Sequence, residues 1–531
     1  MEHLFEKLSL YDRKGIYPYH MPGHKRKSWG MLPKELYGID ITEIEGFDNL
    51  HQPEGILLEL QREAARLYGA EESYYLVNGS TGGILSAVSA AVPFGGHILM
   101  ARNCHKSVYH AAYLRHLQTE YLYPGILAEY GIADAVTLSQ VREALERTPE
   151  TDAVLIVSPT YEGRLADVAE IAGAVHEKGI PLIVDEAHGA HLGLTEGTWQ
   201  NSCQGGADLV IHSVHKTLPA LTQAGLLHVN GELIDRGLLR RFLRIYQTSS
   251  PSYPLMASID NALQYTEKFG NDAFARFRFF YERMTEKLSA CRSLKILIGN
   301  REEQDTGKLV ISVKGTGLTG KELYEILLKK YGLQTEMASI DFVLAMFTLN
   351  DDSEAYNRMT EALLEIDRNL SEAGATEKTS GKLSPAKAGG TAPERDFSAM
   401  ARGTAPERGS PAGDTEKAPG KILSVKVREK APEKISLAEA WEMPSEEILL
   451  TESAGRYAAE FINLYPPGIP LLIPGEQITE AHCREIWEAV SQGLNVQGIW
   501  TGRDEDGPSQ EISIRVLQEK AEVRRRRNKE E

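Results

Sequence analysis

From Ser73 to Val229, short runs of apolar residues alternate with segments whose apolar positions recur every three to four residues. A brief apolar run suits a strand buried on both faces, and the three-to-four period suits a helix with one buried face. The clearest unit is a strand over Ala153 to Pro159, a helix over Ala166 to Gly179 and a strand over Pro181 to Ala187. Gly179 is placed to end that helix, because glycine alone adopts the left-handed cap conformation without cost. HILMA from His97 and ADLVIHS from Ala207 read as further buried strands. Strands joined through helices in this way predict an α/β domain built on a mainly parallel sheet.

After Tyr253 a long helix-periodic stretch leads into the strand KLVISVKG from Lys308 and a helix starting near Thr319, the pattern of a second, smaller α/β domain. Between 371 and 434 the composition falls to Gly, Pro, Ala, Ser, Thr, Glu and Lys, and GTAPER occurs at both Gly390 and Gly403. Such a stretch has too little apolar surface to offset its ordering entropy, so it is expected to be a disordered linker. The chain therefore divides into an N-terminal segment (1–50), a large domain (51–255), a small α/β domain (256–370), the linker (371–434) and a C-terminal α+β domain (435–531).

With 531 residues, 42% hydrophobic and 25% charged, the chain has material for more than one core. A net charge of −17 speaks against a nucleic-acid surface, which needs clustered cations. The one basic run, Arg524 to Arg527, reads as a solvated tail. Cys104, Cys203, Cys291 and Cys483 lie far apart and form no CxxC pair, which argues against a zinc ribbon or a disulfide framework and for a reducing compartment. The N-terminus lacks an apolar signal core and no stretch of about 18 apolar residues occurs, so a cytoplasmic protein with no membrane partner is expected.

The chemistry concentrates in SVHKTLPALTQAG, Ser213 to Gly225, directly after a buried strand. Lys216 there stands where open α/β sheets bind ligands, and its amine can form an imine with an aldehyde cofactor. By spacing alone a surface-loop lysine fits equally well. Asp185, closing another strand, can pair with a protonated pyridine nitrogen and keep the ring a good electron sink. VNGSTGGILSA, from Val77, offers Gly79, Ser80, Thr81 and Gly82 at a helix start where backbone N–H groups can hold a phosphate. His105, in RNCHKSVYHA, can stack on the cofactor ring, although an isolated histidine is more often structural.

Three other readings carry less weight. DEAH at Asp185 and GTGLTGKE at Gly315 resemble nucleotide-hydrolase motifs, but Glu322 replaces the hydroxyl that would hold magnesium. Thr319 and Glu322 fit a helix capping box instead. His188 and His191 with Asp185 could be imagined as metal ligands, but the glycines around them favour a turn, so no metal is expected.

Together these segments resemble the ornithine/lysine/arginine decarboxylase family of fold-type-I pyridoxal-phosphate enzymes, a group related in fold to aspartate aminotransferase. Its lysine signature is matched by Ser213, His215, Lys216, Thr222 and Gln223. The resemblance extends through HMPGHK at His20, NGSTGG at Asn78, NCHKS at Asn103, SPTYEG at Ser158, QTSSPSYPLMAS at Gln247 and the stretch Ser453 to Glu476. It implies a pyridoxal 5'-phosphate enzyme that decarboxylates a basic amino acid, arginine first and then lysine or ornithine, for polyamine biosynthesis. Lys216 is implied to form the Schiff base, with Asp185 on the pyridine nitrogen and His105 over the ring. The same likeness puts Ser80, Thr81, Gly82, Ser213 and His215 around the phosphate, Ala187 under the ring and His188 at its edge. It also implies a homodimer in which Ser249 or Ser250 reaches the partner's phosphate, and a pocket for the substrate's distal cation that Glu476 helps to define. Larger members carry an N-terminal wing domain, whereas here HMPGHK begins at His20, so assemblies that depend on that domain are not expected. The alternatives are another fold-type-I reaction, such as transamination, or a non-catalytic relative that binds the cofactor.

Overall fold

A computed structural model describes residues 2–14, 18, 21–22, 24–27, 33–195, 199–299, 302–380, 435–466, 468–504 and 507–518. The Arg524 to Arg527 run, and His20 and Gly23 of HMPGHK, lie outside them.

The sheet of the large domain has seven strands in the order Glu72–Leu76, Gly225–Val229, Leu209–His212, Leu182–Asp185, Ala153–Val157, His97–Ala101 and Gln118–Leu122. The last five pair in parallel, while Gly225–Val229 runs antiparallel to both of its neighbours. Every residue of Leu182–Asp185, Leu209–His212 and Gly225–Val229 is buried. These strands therefore read as continuous apolar runs rather than alternating ones, as a sheet covered on both faces requires.

The helix expected over Ala166 to Gly179 is shorter, Val168–His176, with Asp167 as its N-cap accepting from the Glu170 N–H at 3.0 Å. Its last turn stops before Gly179, which takes φ of 72° in the turn that follows. Backbone bonds continue past the regular helix, from the Glu177 N–H to the Gly173 carbonyl at 3.0 Å, Lys178 to Val175 at 3.0 Å and Gly179 to His176 at 2.9 Å, so the glycine closes the tightened turns that follow the helix.

A 36-residue helix, Tyr253–Leu288, leads out of the large domain. The N-terminal helix Leu4–Arg13 is tied to it, since Asp260 accepts from the Leu4 N–H at 2.9 Å and lies 3.1 Å from the His3 ring. The small domain is a four-stranded antiparallel sheet, Lys295–Ile296, Lys308–Ser312, Phe342–Met346 and Met337–Ala338 in spatial order, with helices Gly320–Tyr331 and Ser353–Ser380.

The last of those helices corrects one expectation. Its backbone continues to Ser380, into the stretch read as linker, because Glu, Ala and Lys extend an existing helix at little cost. The remainder of that stretch, 381–434, lies outside the described residues.

The C-terminal part forms two three-stranded antiparallel sheets and the helix Glu480–Ser491 around its own apolar cluster, which includes Leu472, Ile486 and Ile514. Its residues Leu437, Phe461 and Ile473 join the apolar cluster beneath the large sheet, so this part is packed on the large domain.

Candidate active site

Parallel strands place their C-terminal ends along one edge of the sheet, where side chains escape the core and open a crevice. Asp185 ends the strand Leu182–Asp185, and Lys216 lies in the short helix Val214–Thr217 just beyond Leu209–His212. The Lys216 amine is 2.8 Å from His188 Nε2. Burial pulls the Lys216 pKa down, while the negative charge of Asp185 works against that pull. Asp185 is 4% exposed and accepts the Ala187 N–H at 3.2 Å. Its pKa is raised by burial and lowered in part by Lys216.

Beside them, the helix Gly79–Ala91 opens at Asn78. Ser213 Oγ donates to Ser80 Oγ at 2.8 Å, which brings the two hydroxyls together at that helix start. Gly225 allows the approach, because a Cβ there would stand 2.9 Å from the His212 carbonyl oxygen and 3.4 Å from the Ser80 nitrogen. Thr81 is exposed on the first turn, Gly82 is buried, and His215 Nδ1 is held 2.8 Å from the Ala224 carbonyl. The Gln247 side chain accepts from the Val77 N–H at 2.8 Å, which fixes the end of the strand that feeds the cradle.

His105 is the N-cap of the helix Lys106–Leu114. Its Nδ1 accepts the Ser107 N–H at 3.2 Å, with the Ser107 hydroxyl 2.8 Å away. Nδ1 therefore carries no proton, and burial lowers the imidazole pKa to about 4. Gly468 of the C-terminal part closes over this ring; its carbonyl accepts the Lys106 N–H at 3.2 Å, and a Cβ at Gly468 would lie 3.5 Å from His105 Nε2.

The structure thus brings Lys216, Asp185, Ala187, His188, His105, Ser80, Ser213 and His215 to one edge of the sheet. Three other residues lie outside that group. Glu476 is ion-paired with Arg102 at 2.9 Å and accepts the Ile473 N–H at 3.2 Å. Ser249 and Ser250 lie exposed on the loop after the helix Arg236–Tyr246.

The remaining motifs take structural positions. Thr319 and Glu322 form a reciprocal capping box, with Thr319 Oγ1 accepting the Glu322 N–H at 3.1 Å and Glu322 accepting the Thr319 N–H at 2.7 Å. The two histidines after Asp185 diverge, since His191 faces Asp305 at 3.2 Å while His188 faces Lys216.

Three further groups reach this region and carry no role in the sequence reading. Tyr161, in SPTYEG, sets its ring edge-on to His188 with centroids 4.9 Å apart, and its hydroxyl donates to Glu336 at 2.6 Å. Glu336 comes from the small domain. Arg102, just past the strand His97–Ala101, holds the C-terminal part. Tyr161 and Arg102 stand in or beside quoted motifs, whereas Glu336 has no local signal because only tertiary packing brings it here.

A pyridoxal group suits this residue set. The site has an amine of lowered basicity, a buried carboxylate with one backbone donor, and a helix start lined with hydroxyls. It also has a buried His188 Nδ1 and a buried Asn103 Oδ1 without hydrogen-bond partners among the described residues.

Comparison with known proteins decides the family. Residues 3–298 match the model of the Orn/Lys/Arg decarboxylase major domain, and residues 425–488 match the model of the C-terminal domain of the same family. The chain belongs to the Orn/Lys/Arg decarboxylase family. Family members with curated names include an arginine decarboxylase of Bacillus subtilis, 30% identical over 93% of this chain and 95% of its own. An arginine decarboxylase of Halalkalibacterium halodurans is 29% identical over 93% of this chain and 94% of its own. The crystal structure of a lysine decarboxylase from Francisella novicida shares the fold, with a TM-score of 0.73 at 17% identity over 97% of this chain and 81% of that one. The expected fold class holds, and the protein is a pyridoxal-phosphate-dependent decarboxylase.

Proposed function

We propose that this enzyme removes the α-carboxylate of a basic amino acid, arginine first and lysine or ornithine next, to give the amine used in polyamine biosynthesis. The observation that carries the reading is the Lys216 amine, largely buried and 2.8 Å from His188, beside Asp185 at the carboxyl edge of a parallel sheet. The full-length similarity to arginine decarboxylases supports arginine as the first choice.

Pyridoxal 5'-phosphate supplies an aldehyde for an amine and a ring that accepts the electron pair left when carbon dioxide departs. The protein's residues prepare for that chemistry. Burial lowers the proton affinity of Lys216, which favours the neutral, nucleophilic amine, and His188 orients it. Asp185 holds a negative charge in a dry position, suited to keeping a pyridine nitrogen protonated. Ser80, Ser213 and the backbone N–H groups at the start of Gly79–Ala91, with Thr81, Gly82 and His215 around them, would hold the phosphate. His105, pinned through Nδ1 to Ser107, presents a neutral ring that would stack on the cofactor, with Ala187 expected under the cofactor ring and His188 at its edge.

The exposed Ser249 and Ser250 suit a homodimer in which each chain completes its partner's phosphate site. Glu476 shapes the wall of the pocket through its pair with Arg102. Four free cysteines, three of them buried, accord with a cytoplasmic setting.

The test is to incubate the cofactor-loaded protein with arginine, lysine and ornithine separately and identify the amine by mass spectrometry. Agmatine as the main product is the expected result. A keto acid in place of an amine would overturn the reaction, and cadaverine or putrescine as the main product would overturn the choice of arginine.

A further inference from the structure

A basic amino acid brings a distal cation into its site, and binding it specifically calls for a carboxylate whose charge is not already matched. The carboxylates around Lys216 differ in that respect. Asp185 lies at the floor and faces the Ala187 N–H and Lys216. Glu476 is committed to Arg102, which also donates to the carbonyls of Pro470 at 2.7 Å and Leu471 at 3.1 Å. Glu162 bonds the Thr160 side chain, and burial raises its pKa.

Glu336 differs from all three. It is exposed, it accepts one hydrogen bond from the neutral Tyr161 hydroxyl, and no ion pair to it is present among the described residues. It is also near enough for its charge to be felt at Lys216. The contacts run continuously from Glu336 to Tyr161 at 2.6 Å, from the Tyr161 ring to His188 at 4.9 Å between centroids, and from His188 to Lys216 at 2.8 Å.

We propose that Glu336, positioned by Tyr161, receives the distal cation of the substrate and is a specificity residue of this decarboxylase. This rests on the basic-amino-acid reading above. The Tyr161 hydroxyl fixes one carboxylate oxygen and leaves lone pairs on both for a planar guanidinium or an ammonium. Glu336 directly precedes the small-domain strand Met337–Ala338, whereas Lys216 belongs to the large domain, so a bound substrate would bridge the two.

The experiment compares wild type, Glu336→Gln, Tyr161→Phe and Glu476→Gln, all loaded with cofactor. Glu336→Gln keeps the shape and can still accept the Tyr161 hydroxyl, but it removes the charge. For the preferred substrate, its KM is expected to rise about ten- to a hundredfold, with kcat within about threefold and the cofactor absorbance unchanged. Calorimetric titration of the cofactor-free protein with agmatine, cadaverine and putrescine should show the same loss of affinity for the best-bound amine. Tyr161→Phe should raise KM by a smaller factor.

Unchanged KM and unchanged amine affinity in Glu336→Gln would overturn the proposal. A fall confined to kcat would do the same, because it would place Glu336 on the Lys216 side of the chemistry. A larger KM rise in Glu476→Gln than in Glu336→Gln would transfer the role to Glu476. If wild type releases no carbon dioxide from any of the three substrates, the functional reading fails by itself. The amine titrations then still decide on Glu336, supporting it if wild type binds and Glu336→Gln does not, and overturning it otherwise.

Discussion

Burial sets the charge of the side chains around Lys216. Asp185 is buried, which raises its pKa, and Lys216 offsets part of that rise; under the proposed function its partner would be a cation on the cofactor. Asp185→Asn keeps the size and loses the charge, so kcat should fall on the order of a hundredfold or more while the protein still loads cofactor on Lys216. Steady-state kinetics beside an absorbance spectrum separates the two effects. His105 gives a pH prediction. Burial holds its pKa at about 4, against an ordinary 6.5. Between those values the unfolded chain binds a proton that the folded chain refuses, so this contribution to stability is present above 6.5 and is lost as pH falls towards 4. His105→Asn, which has no titrating group and still offers an acceptor to the Ser107 N–H, should reduce the slope of stability with pH across that window. Urea midpoints taken from pH 4 to 6.5 would show it, and an unaltered slope would contradict a buried neutral imidazole.

At the scale of elements, the site follows from where strands stop and helices start. Leu182–Asp185 and Leu209–His212 deliver Asp185 and the Lys216 turn to one edge, and Gly79–Ala91 and Lys106–Leu114 begin beside it. These strands were legible because a parallel sheet covered on both faces demands unbroken apolar runs. Helix ends were less so: the regular helix stops at His176 while tighter turns run on to Gly179, and Ser353–Ser380 continues into the stretch read as linker. The near-match GTGLTGKE shows how a cap imitates a phosphate loop, since its Thr319 and Glu322 are spent on each other. Thr319→Ala should lower stability by about 1 kcal/mol, read as a shift of the denaturant midpoint, and leave the cofactor absorbance intact.

On the scale of the whole molecule, three parts of the chain meet around Lys216. The large domain supplies the lysine, the cradle and His105, the small domain supplies Glu336, and the C-terminal part lays Gly468 against His105. The meeting of distant segments is what the sequence could not display: Glu336 lies 120 positions beyond Lys216 and has no motif, and Glu476 turns to Arg102. Arg102 fastens the C-terminal part through Glu476, Pro470 and Leu471, with 12% of its side chain exposed. Arg102→Met should therefore destabilise the protein by about 2 kcal/mol, a modest value because both charged groups keep some contact with water. It should also make the C-terminal part more open to protease, and an unchanged digestion pattern would contradict the clamp.

The central claim is that Lys216 carries the cofactor of a basic amino-acid decarboxylase. Its most direct test is carbon dioxide release from arginine, lysine and ornithine by wild type and by Lys216→Ala, with pyridoxal 5'-phosphate added. Release by wild type from at least one of them, abolished in Lys216→Ala together with the imine absorbance, is the predicted result. No release from any of the three by a wild-type protein that shows the Lys216-dependent absorbance would contradict it.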